Sequence, residues 1–256
     1  MELRVLGCHG GETPKHKTSS FLLDGRLAID AGAITSMLTL EEQKKVEAVL
    51  VSHAHLDHIK DLATLADNRT QQGGPPLVIS ASRATLDALK THFFNNVIWP
   101  DFTQIETPRG PAIRLHALED DVETPLLSGF RVRAVPVHHT IDTCAFVVRG
   151  EEASVAYSGD TGPTDRLWEV LGELDDLRGL LMEVSFPDEE HHLAKVSGHH
   201  TPETLAKDLE KLDGKRDLPI LLYHIKPFFE DVVERQLAQI RRRNLQICRL
   251  GEQLLF

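Results

Sequence analysis

The sequence predicts an α+β fold in which two β-sheets are packed between outer helices. Three observations lead to this prediction. Short β-rich runs alternate with helical ones, strands dominate both halves of the chain, and no linker, low-complexity segment or charge block divides it. A length of 256 residues allows a large buried core. We therefore expect residues 1–256 to form a single domain.

The first half of the chain begins the alternation. Short runs rich in apolar and β-branched residues, bounded by turn residues, predict strands. The predicted strands are Leu3–Leu6, Ser20–Leu23, Leu27–Asp30, Ala48–Ser52 and Val78–Ser80, followed by a helix over Ser82–Lys90.

The second half continues in the same way. The predicted strands are Phe130–Val137, Cys144–Val148, Ser154–Ser158, Gly179–Val184 and Pro219–His224, and the predicted helices are Asp165–Leu171, Pro202–Lys211 and Glu230–Arg242. Several histidines and carboxylates follow directly after strands. Loops at these positions present side chains at the edge of a sheet.

Composition and charge exclude several classes of protein. The net charge is −11, from 28 basic and 39 acidic residues. Proteins that bind long nucleic acids gain affinity by neutralising phosphates with Lys and Arg, so this balance disfavours a nucleic-acid partner. We interpret the basic run Arg241–Arg243 as the solvated face of a helix. No apolar run approaches the roughly 18 residues that span a bilayer, and the N-terminus lacks signal-peptide features. We expect a soluble protein with no membrane partner.

The cysteines and histidines differ in their distribution. Cys8, Cys144 and Cys248 are widely scattered and form no CxxC pair, which argues against a disulfide framework and against a thiolate metal site. A reducing cytoplasm fits this usage. The 14 histidines, by contrast, often stand beside Asp, Ser or Thr.

The most specific pattern is the HxHxDH motif that begins where the strand Ala48–Ser52 ends. His53 and His55 are two apart in extended chain and should point the same way, and Asp57 and His58 follow as the chain turns into a helix. The alternative is a run of surface histidines at a helix start. Because random histidines would rarely form this motif directly after an apolar strand, we favour a metal site.

Further metal-binding side chains follow strands downstream. They are His138 and His139 after Pro136-Val137, Asp160 in the SGDTG turn, and His224 after an apolar strand. Singly, Asp160 could be a turn former or helix cap, and His224 a packed histidine. Together with HxHxDH they supply several imidazoles and two carboxylates. Such mixed N/O ligands without thiolate suit Zn²⁺, Mn²⁺ or Fe²⁺.

With these motifs the chain resembles the metallo-β-lactamase superfamily. The resemblance implies a four-layer αβ/βα sandwich with two metals at one edge between the sheets. It implies that His53, His55 and His139 hold the first metal, that Asp57, His58 and His224 hold the second, and that Asp160 bridges them. We choose His139 over His138 because phosphodiesterase members place a hydroxyl residue after the ligand and an aromatic residue several positions later, which Thr140 and Phe146 match. His138 is then expected near the ligands or at the surface.

Several segments resemble the class II cyclic nucleotide phosphodiesterases in particular. They are HFFNNVIWPDF (92–102), SGDTGP (158–163), EVSFP (183–187), SGHHTP (197–202) and HIKP (224–227). The family usually has an aliphatic residue where His200 stands. We assign the general-acid role to His199, and Asp57 is the other predicted catalytic residue.

Three positions around this site have supporting roles. Glu183 is expected to orient a histidine N–H, or to be an ordinary strand-end carboxylate, and His200 is expected beside it. Trp99 and Phe94 could line a base pocket or could simply be loop packing.

The resemblance implies hydrolysis of 3′,5′-cyclic nucleotides, cyclic AMP or cyclic GMP, to 5′-nucleotides by two divalent metal ions, with Zn²⁺ expected first. The main alternative is a tRNA 3′-end processing endoribonuclease like ribonuclease Z, which the acidic charge and the absence of a long inserted arm disfavour. Other hydrolases of this fold, such as lactonases, fit the HIKP and IWPDF segments poorly. A non-enzymatic metal-binding protein would be expected to have lost a ligand, whereas all seven are present. A homodimer is compatible with the resemblance, although the sequence does not give the oligomeric state.

Overall fold

The computed structural model describes residues 1–212, 214–215, 217–242 and 244–256. Within these residues the strands are β1 (Glu2–Gly7), β2 (Ser20–Leu23), β3 (Leu27–Ile29), β4 (Ala48–Leu50), β5 (Leu77–Ala81), β6 (Glu106–Thr107), β7 (Gly110–Pro111), β8 (Ile113–Ala117), β9 (Glu123–Leu127), β10 (Phe130–Pro136), β11 (Cys144–Arg149), β12 (Ser154–Tyr157), β13 (Leu177–Glu183), β14 (Ile220–Tyr223), β15 (Leu245–Ile247) and β16 (Gln253–Leu255). The helices are α1 (Ile34–Met37), α2 (Leu40–Lys45), α3 (Leu56–Ile59), α4 (Leu62–Gln71), α5 (Arg83–Ala88), α6 (Arg166–Gly172), α7 (His191–Ser197), α8 (Pro202–Leu209) and α9 (Glu230–Leu237).

The strands form two large mixed sheets. The first has the order β16-β1-β2-β3-β4-β5-β8, and the second β15-β14-β13-β12-β11-β10-β9. Neighbours from β3 to β8 are parallel, as are neighbours from β12 to β15. The carboxyl ends of the parallel strands therefore share one edge of each sheet, and loops from both edges can meet there.

The layers follow from where the apolar side chains pack. One core cluster joins the two sheets, because it contains Phe21 and Leu50 of the first sheet and Phe146 and Leu221 of the second. A second cluster lies between the first sheet and its helices, and a third packs α6, α8 and α9 against the second sheet. The result is a helix–sheet–sheet–helix sandwich, so the α+β prediction is confirmed.

Most predicted elements are present with bounds that differ by one or two residues, but the last predicted helix is an exception. The prediction was Glu230–Arg242, whereas α9 ends at Leu237 because the chain must turn to pair β15 with β14. The interpretation of the arginine run as a helix face is therefore wrong. Arg242 donates hydrogen bonds to the carbonyls of Leu209 and Lys215, both at 3.2 Å. Arg243 lies outside the described residues.

Other elements were not predicted from sequence. The additional elements are strands β6, β7, β8, β9, β15 and β16 and helices α1, α2, α4 and α7. The predicted helix over Ser82–Lys90 continues as a π-helical turn, Leu89–Phe93. In the part of the chain that the structure describes, no helix is long and apolar enough to cross a membrane.

Candidate metal centre

The side chains of the candidate site come from strand ends of both sheets. From the first sheet, His53 and His55 follow β4, and Asp57 and His58 lie in α3. From the second sheet, the contributing positions are the ends of β10, β12 and β14, which carry His139, Asp160 and His224. His53 and His224, the first and last of these residues, are 171 positions apart in the sequence. They nevertheless meet at one edge of the sandwich.

Three imidazoles form the first group. The distance from His53 Nε2 to His55 Nδ1 is 3.0 Å, and the distance from His139 Nε2 to the same His55 nitrogen is 3.2 Å. One nitrogen from each ring lies within 4.8 Å of the other two. This is the donor set that the sequence predicted for the first metal.

The second group contains Asp57, His58 and His224. His224 Nε2 lies 3.4 Å from Asp57 Oδ2 and 3.4 Å from His58 Nε2. His224 occupies a left-handed backbone conformation, with φ of 72°, which aims its ring back across the strand ends. One donor atom from each residue of this group lies within 4.8 Å of the other two, as expected for ligands of a shared ion.

Asp160 lies between the two groups. Its Oδ2 is 3.1 Å from His224 Nε2, 3.2 Å from His58 Nε2 and 3.9 Å from His53 Nε2. Its Oδ1 is buried and has no hydrogen-bond partner among the described residues. Because an orphaned buried carboxylate oxygen is costly, this atom fits a bridging metal ligand. The histidine and aspartate cluster thus suggests divalent metal binding.

The protonation states agree with this fit. Burial lowers the pKa of His53, His139 and His224, which keeps these imidazoles neutral, as metal ligands must be. Burial alone would also lower the pKa of His58, but the carboxylates of Asp160 and Asp30 outweigh it and raise that pKa well above its usual value. These buried carboxylates therefore stabilise a positive charge beside them, and a divalent cation can supply it.

Asp30 is a candidate site residue that the sequence analysis missed. It is fully buried after β3, and its Oδ2 lies 2.7 Å from His58 Nδ1. The same carboxylate accepts hydrogen bonds from the backbone N–H and the hydroxyl of Ser52, both at 2.8 Å, and from the Tyr157 hydroxyl at 2.6 Å. Ser52 Oγ in turn contacts His53 Nδ1 at 3.0 Å. Asp30 thus orients a ligand of each metal group.

We expect Asp30→Asn to weaken metal binding by about 10- to 100-fold, because hydrogen-bonded partners of metal ligands typically contribute that much. The measurement is a competition titration of zinc against a chromophoric chelator. Tyr157→Phe is the matched control, since it removes one donor to Asp30 and leaves the carboxylate on His58 in place. Equal zinc affinity in Asp30→Asn and wild type would exclude the orienting role.

His199 lies beside both groups, and its donor nitrogen is within 4.8 Å of donor atoms of His139 and Asp160. Its ring is stacked on His224 at 5.2 Å between centroids and lies 5.0 Å from that of His139. Gly198 makes this approach possible, because it has a left-handed φ of +67° and an added Cβ would come within 2.9 Å of the backbone of His139. The Gly198 carbonyl also lies 3.0 Å from His139 Nδ1. The SGHH segment (197–200) therefore fixes the positions of His139 and His199 relative to each other.

Glu183 and Ser185 both contact Nδ1 of His199. Glu183 Oε1 lies 3.3 Å from His199 Nδ1, and Ser185 Oγ lies 3.2 Å from the same nitrogen. Ser185, which the sequence analysis did not single out, donates to Glu183 Oε2 and contacts His224 Nδ1 at 2.9 Å. Burial, reinforced by Asp160, raises the pKa of Glu183 to about 7, while burial lowers the pKa of His199 to about 4.

His200 and His138, which adjoin His199 and His139 in the sequence, make different contacts. His200 is fully buried, with Nδ1 3.1 Å from Thr204 Oγ1 and Nε2 3.7 Å from Asp208 Oδ2, so its ring points away from the metal groups. Its backbone N–H donates to Glu183. His138 is exposed, and its backbone pairs with Thr161 and Gly162.

Of the aromatic residues proposed for a base pocket, Phe94 packs in the core and Trp99 is partly buried against it. Phe94 is 1% exposed and belongs to the core between the first sheet and its helices, and Trp99 packs against that core. Their contacts support the loop-packing alternative. A cavity lies instead beside His199, with a volume of about 340 Å³, and it is lined by His138, Gly162, Pro163, His191, Ala194, Lys195, His199 and Thr204.

Comparison with known proteins supports this fold. A family model described as "Beta-lactamase superfamily domain" matches residues 26–225. A probable 3′,5′-cyclic-nucleotide phosphodiesterase of Yersinia pestis is 29% identical over 251 residues, covering 86% of this chain and 70% of that protein. Ribonuclease Z of Bacillus subtilis is 24% identical over 290 residues, covering 93% and 92%. The crystal structure of unliganded yeast PDE1 superimposes with a TM-score of 0.84 at 20% identity, covering 100% and 99%, which is a likeness of fold.

Proposed function

The chain belongs to the metallo-β-lactamase superfamily, and on that premise we propose that it is a dinuclear metal phosphodiesterase that hydrolyses 3′,5′-cyclic nucleotides to 5′-nucleotides. The observation that carries the proposal is the position of Asp160 between two groups of metal-binding side chains. The likeness to a phosphodiesterase over 86% of the chain supports the choice of substrate class.

The two metal groups define where the ions would be held. His53, His55 and His139 would hold one, Asp57, His58 and His224 the other, and Asp160 would bridge them. Zinc is our first expectation, since imidazole and carboxylate ligands suit it. When bound, such a pair supplies a nucleophile from water at neutral pH and neutralises charge that develops on the phosphate.

His199 is proposed to protonate the leaving ribose oxygen. Glu183 and Ser185 occupy Nδ1, which leaves Nε2 to face the reacting group. His199 is only 6% exposed and borders both the ligands and the cavity. An alkoxide is a poor leaving group, so a positioned proton donor contributes strongly to its departure.

Glu183 is proposed to position His199 and to supply it with a proton. Glu183→Gln keeps the size of the side chain but cannot deliver a proton to Nδ1. We expect turnover of a cyclic nucleotide to fall by about 10- to 100-fold, measured as kcat at saturating substrate. Asp208→Asn is the matched control, because Asp208 is also a buried carboxylate but contacts Trp168, Thr164 and His200 instead. Unchanged kcat in Glu183→Gln would remove this role.

The cavity beside His199 is proposed to receive the nucleoside. Its volume of about 340 Å³ falls within the range of small-molecule sites, about 300 to 1,000 Å³. Lys195, His138 and His191 add polar and basic character to the wall, and Pro163 and Ala194 add apolar surface. A mixed wall of this kind suits a charged phosphate joined to a base.

The test is a comparison of substrates with metal-reconstituted protein. We expect cyclic AMP or cyclic GMP to be hydrolysed to the 5′-nucleotide faster than the generic diester bis(p-nitrophenyl) phosphate, and a chelator to remove the activity until metal is restored. Precursor tRNA is the second substrate, because the likeness to ribonuclease Z extends over 93% of the chain. Cleavage of tRNA without hydrolysis of either cyclic nucleotide would replace our proposal with the ribonuclease activity.

Several attributes accompany this proposal as predictions. The acidic charge of −11 disfavours a nucleic-acid substrate. A cytoplasmic location, a homodimer and a single domain over residues 1–256 are expected from the sequence and its resemblance. Fractionation of cells tests the location, and gel filtration tests the oligomeric state.

A further inference from the structure

A second cluster of metal-binding side chains lies outside the candidate metal centre. It consists of His9, His16 and Glu230, whose donor atoms lie within 4.8 Å of one another. His9 is in the loop after β1, His16 in the turn that follows, and Glu230 at the start of α9. None of the three was assigned a role from the sequence.

Both imidazoles direct Nε2 at the same carboxylate. His16 Nε2 lies 3.0 Å from Glu230 Oε2, and His9 Nε2 lies 3.8 Å from Glu230 Oε1. The first distance alone would describe an ordinary ion pair. The second is too long for a hydrogen bond, so no hydrogen bond joins His9 to this carboxylate.

The other nitrogen of each ring is already held by an oxygen. His9 Nδ1 lies 3.2 Å from the carbonyl of Lys17, and His16 Nδ1 contacts Thr13 Oγ1 at 2.5 Å. The backbone N–H of Lys17 also lies 3.2 Å from His9 Nδ1, so both rings are held through Nδ1, and Nε2 is the nitrogen directed at Glu230.

The charge around the cluster permits a cation. The side chains of His9, His16 and Glu230 are 11%, 17% and 29% exposed. Arg249 approaches Glu230 Oε1 only to 3.9 Å, while it pairs with Glu234 at 2.9 Å. Two imidazoles and a carboxylate leave a fourth position for water, as in open zinc sites.

The cluster also connects to the main site through the backbone. The backbone N–H of His224 donates to the carbonyl of Cys8 at 2.7 Å, and that of Gly10 donates to the carbonyl of Ile225 at 3.0 Å. The loop of His9 therefore lies against the loop that presents His224. An ion at the cluster would join this pair of loops to the start of α9.

We propose that His9, His16 and Glu230 form an additional binding site for a divalent transition-metal ion, with zinc the first expectation. The bound ion links the loop after β1 to the start of α9. The site holds its ion without taking part in hydrolysis.

The experiment is equilibrium dialysis of the full chain against micromolar zinc, followed by measurement of bound zinc per chain. His16→Ala and Glu230→Gln are each expected to bind one zinc ion fewer than the wild type, with kcat unchanged. Glu230→Gln keeps the shape of the side chain and so guards against loss of folding. His92→Ala, at an exposed histidine outside both metal clusters, is the control and should bind as much zinc as the wild type.

A double variant separates this site from the main one. His53→Ala combined with His58→Ala removes a ligand from each group of the main centre, so its remaining zinc is expected at His9, His16 and Glu230 and should disappear when Glu230→Gln is added. Bound zinc equal to wild type in both His16→Ala and Glu230→Gln would overturn the proposal.

Discussion

Asp160→Asn is expected to lower kcat/KM for a cyclic nucleotide by at least about 10³-fold and to reduce the amount of tightly bound metal. The substitution keeps the size of the side chain but removes the charge that lies between the two ligand groups. The Lewis-acid contribution of a metal is worth several kcal/mol, and about 4 kcal/mol corresponds to about 10³ in rate. The measurement is steady-state hydrolysis together with metal analysis of the same sample.

The control for this prediction is Asp165→Asn, which changes a carboxylate in the following loop. The Asp165 side chain is 82% exposed and pairs with Lys211, so its loss should leave activity and metal content at wild-type values. Wild-type turnover in Asp160→Asn would be incompatible with a bridging carboxylate at this position.

His199→Ala is expected to lower kcat for a cyclic nucleotide by about 10²- to 10⁴-fold, the usual contribution of general-acid catalysis, while metal content stays at the wild-type value. The loss should be much smaller for bis(p-nitrophenyl) phosphate, because a nitrophenolate leaves without a proton donor. The measurement is kcat for both substrates with the same metal-loaded protein. This dependence on the leaving group distinguishes proton donation from a general loss of structure.

His200→Ala is the matched control, one position away. Its imidazole is fully buried against Thr204 and Asp208, so we expect a lower melting temperature and kcat close to that of the wild type. The reverse result, with His199→Ala fully active and His200→Ala inactive, would move the acid to His200.

The sequence could predict the ligands because their signals are local. His53, His55, Asp57 and His58 follow an apolar strand within six residues, and Asp160 and His224 each follow a strand of the same character. Parallel strands bring such positions to one edge of a sheet, so the convergence follows from the strand pattern.

Contacts that depend on tertiary structure were not predictable in this way. Asp30 contacts His58 and Tyr157, which are 28 and 127 positions away in the chain. The difference between His199 and His200 arises from the left-handed turn at Gly198 and the start of α8 at Pro202. The resemblance favoured His199, because the family usually has an aliphatic residue at position 200, but the direction of each ring depends on these tertiary contacts.

The end of α9 shows the same limitation. The apolar period continues past Leu237, but pairing of β15 with β14 requires the chain to turn first. Arg242 then donates hydrogen bonds to two backbone carbonyls. Tertiary pairing here outweighs helix propensity, which is a weak preference of less than about 1 kcal/mol per residue.

The most direct test of a dinuclear centre is anomalous X-ray scattering from crystals of the zinc-loaded protein, recorded above and below the zinc absorption edge. We predict one zinc peak among His53, His55 and His139 and another among Asp57, His58 and His224, with the Asp160 carboxylate between them. An anomalous map without zinc density at these two positions, from protein shown to be loaded, would contradict the account.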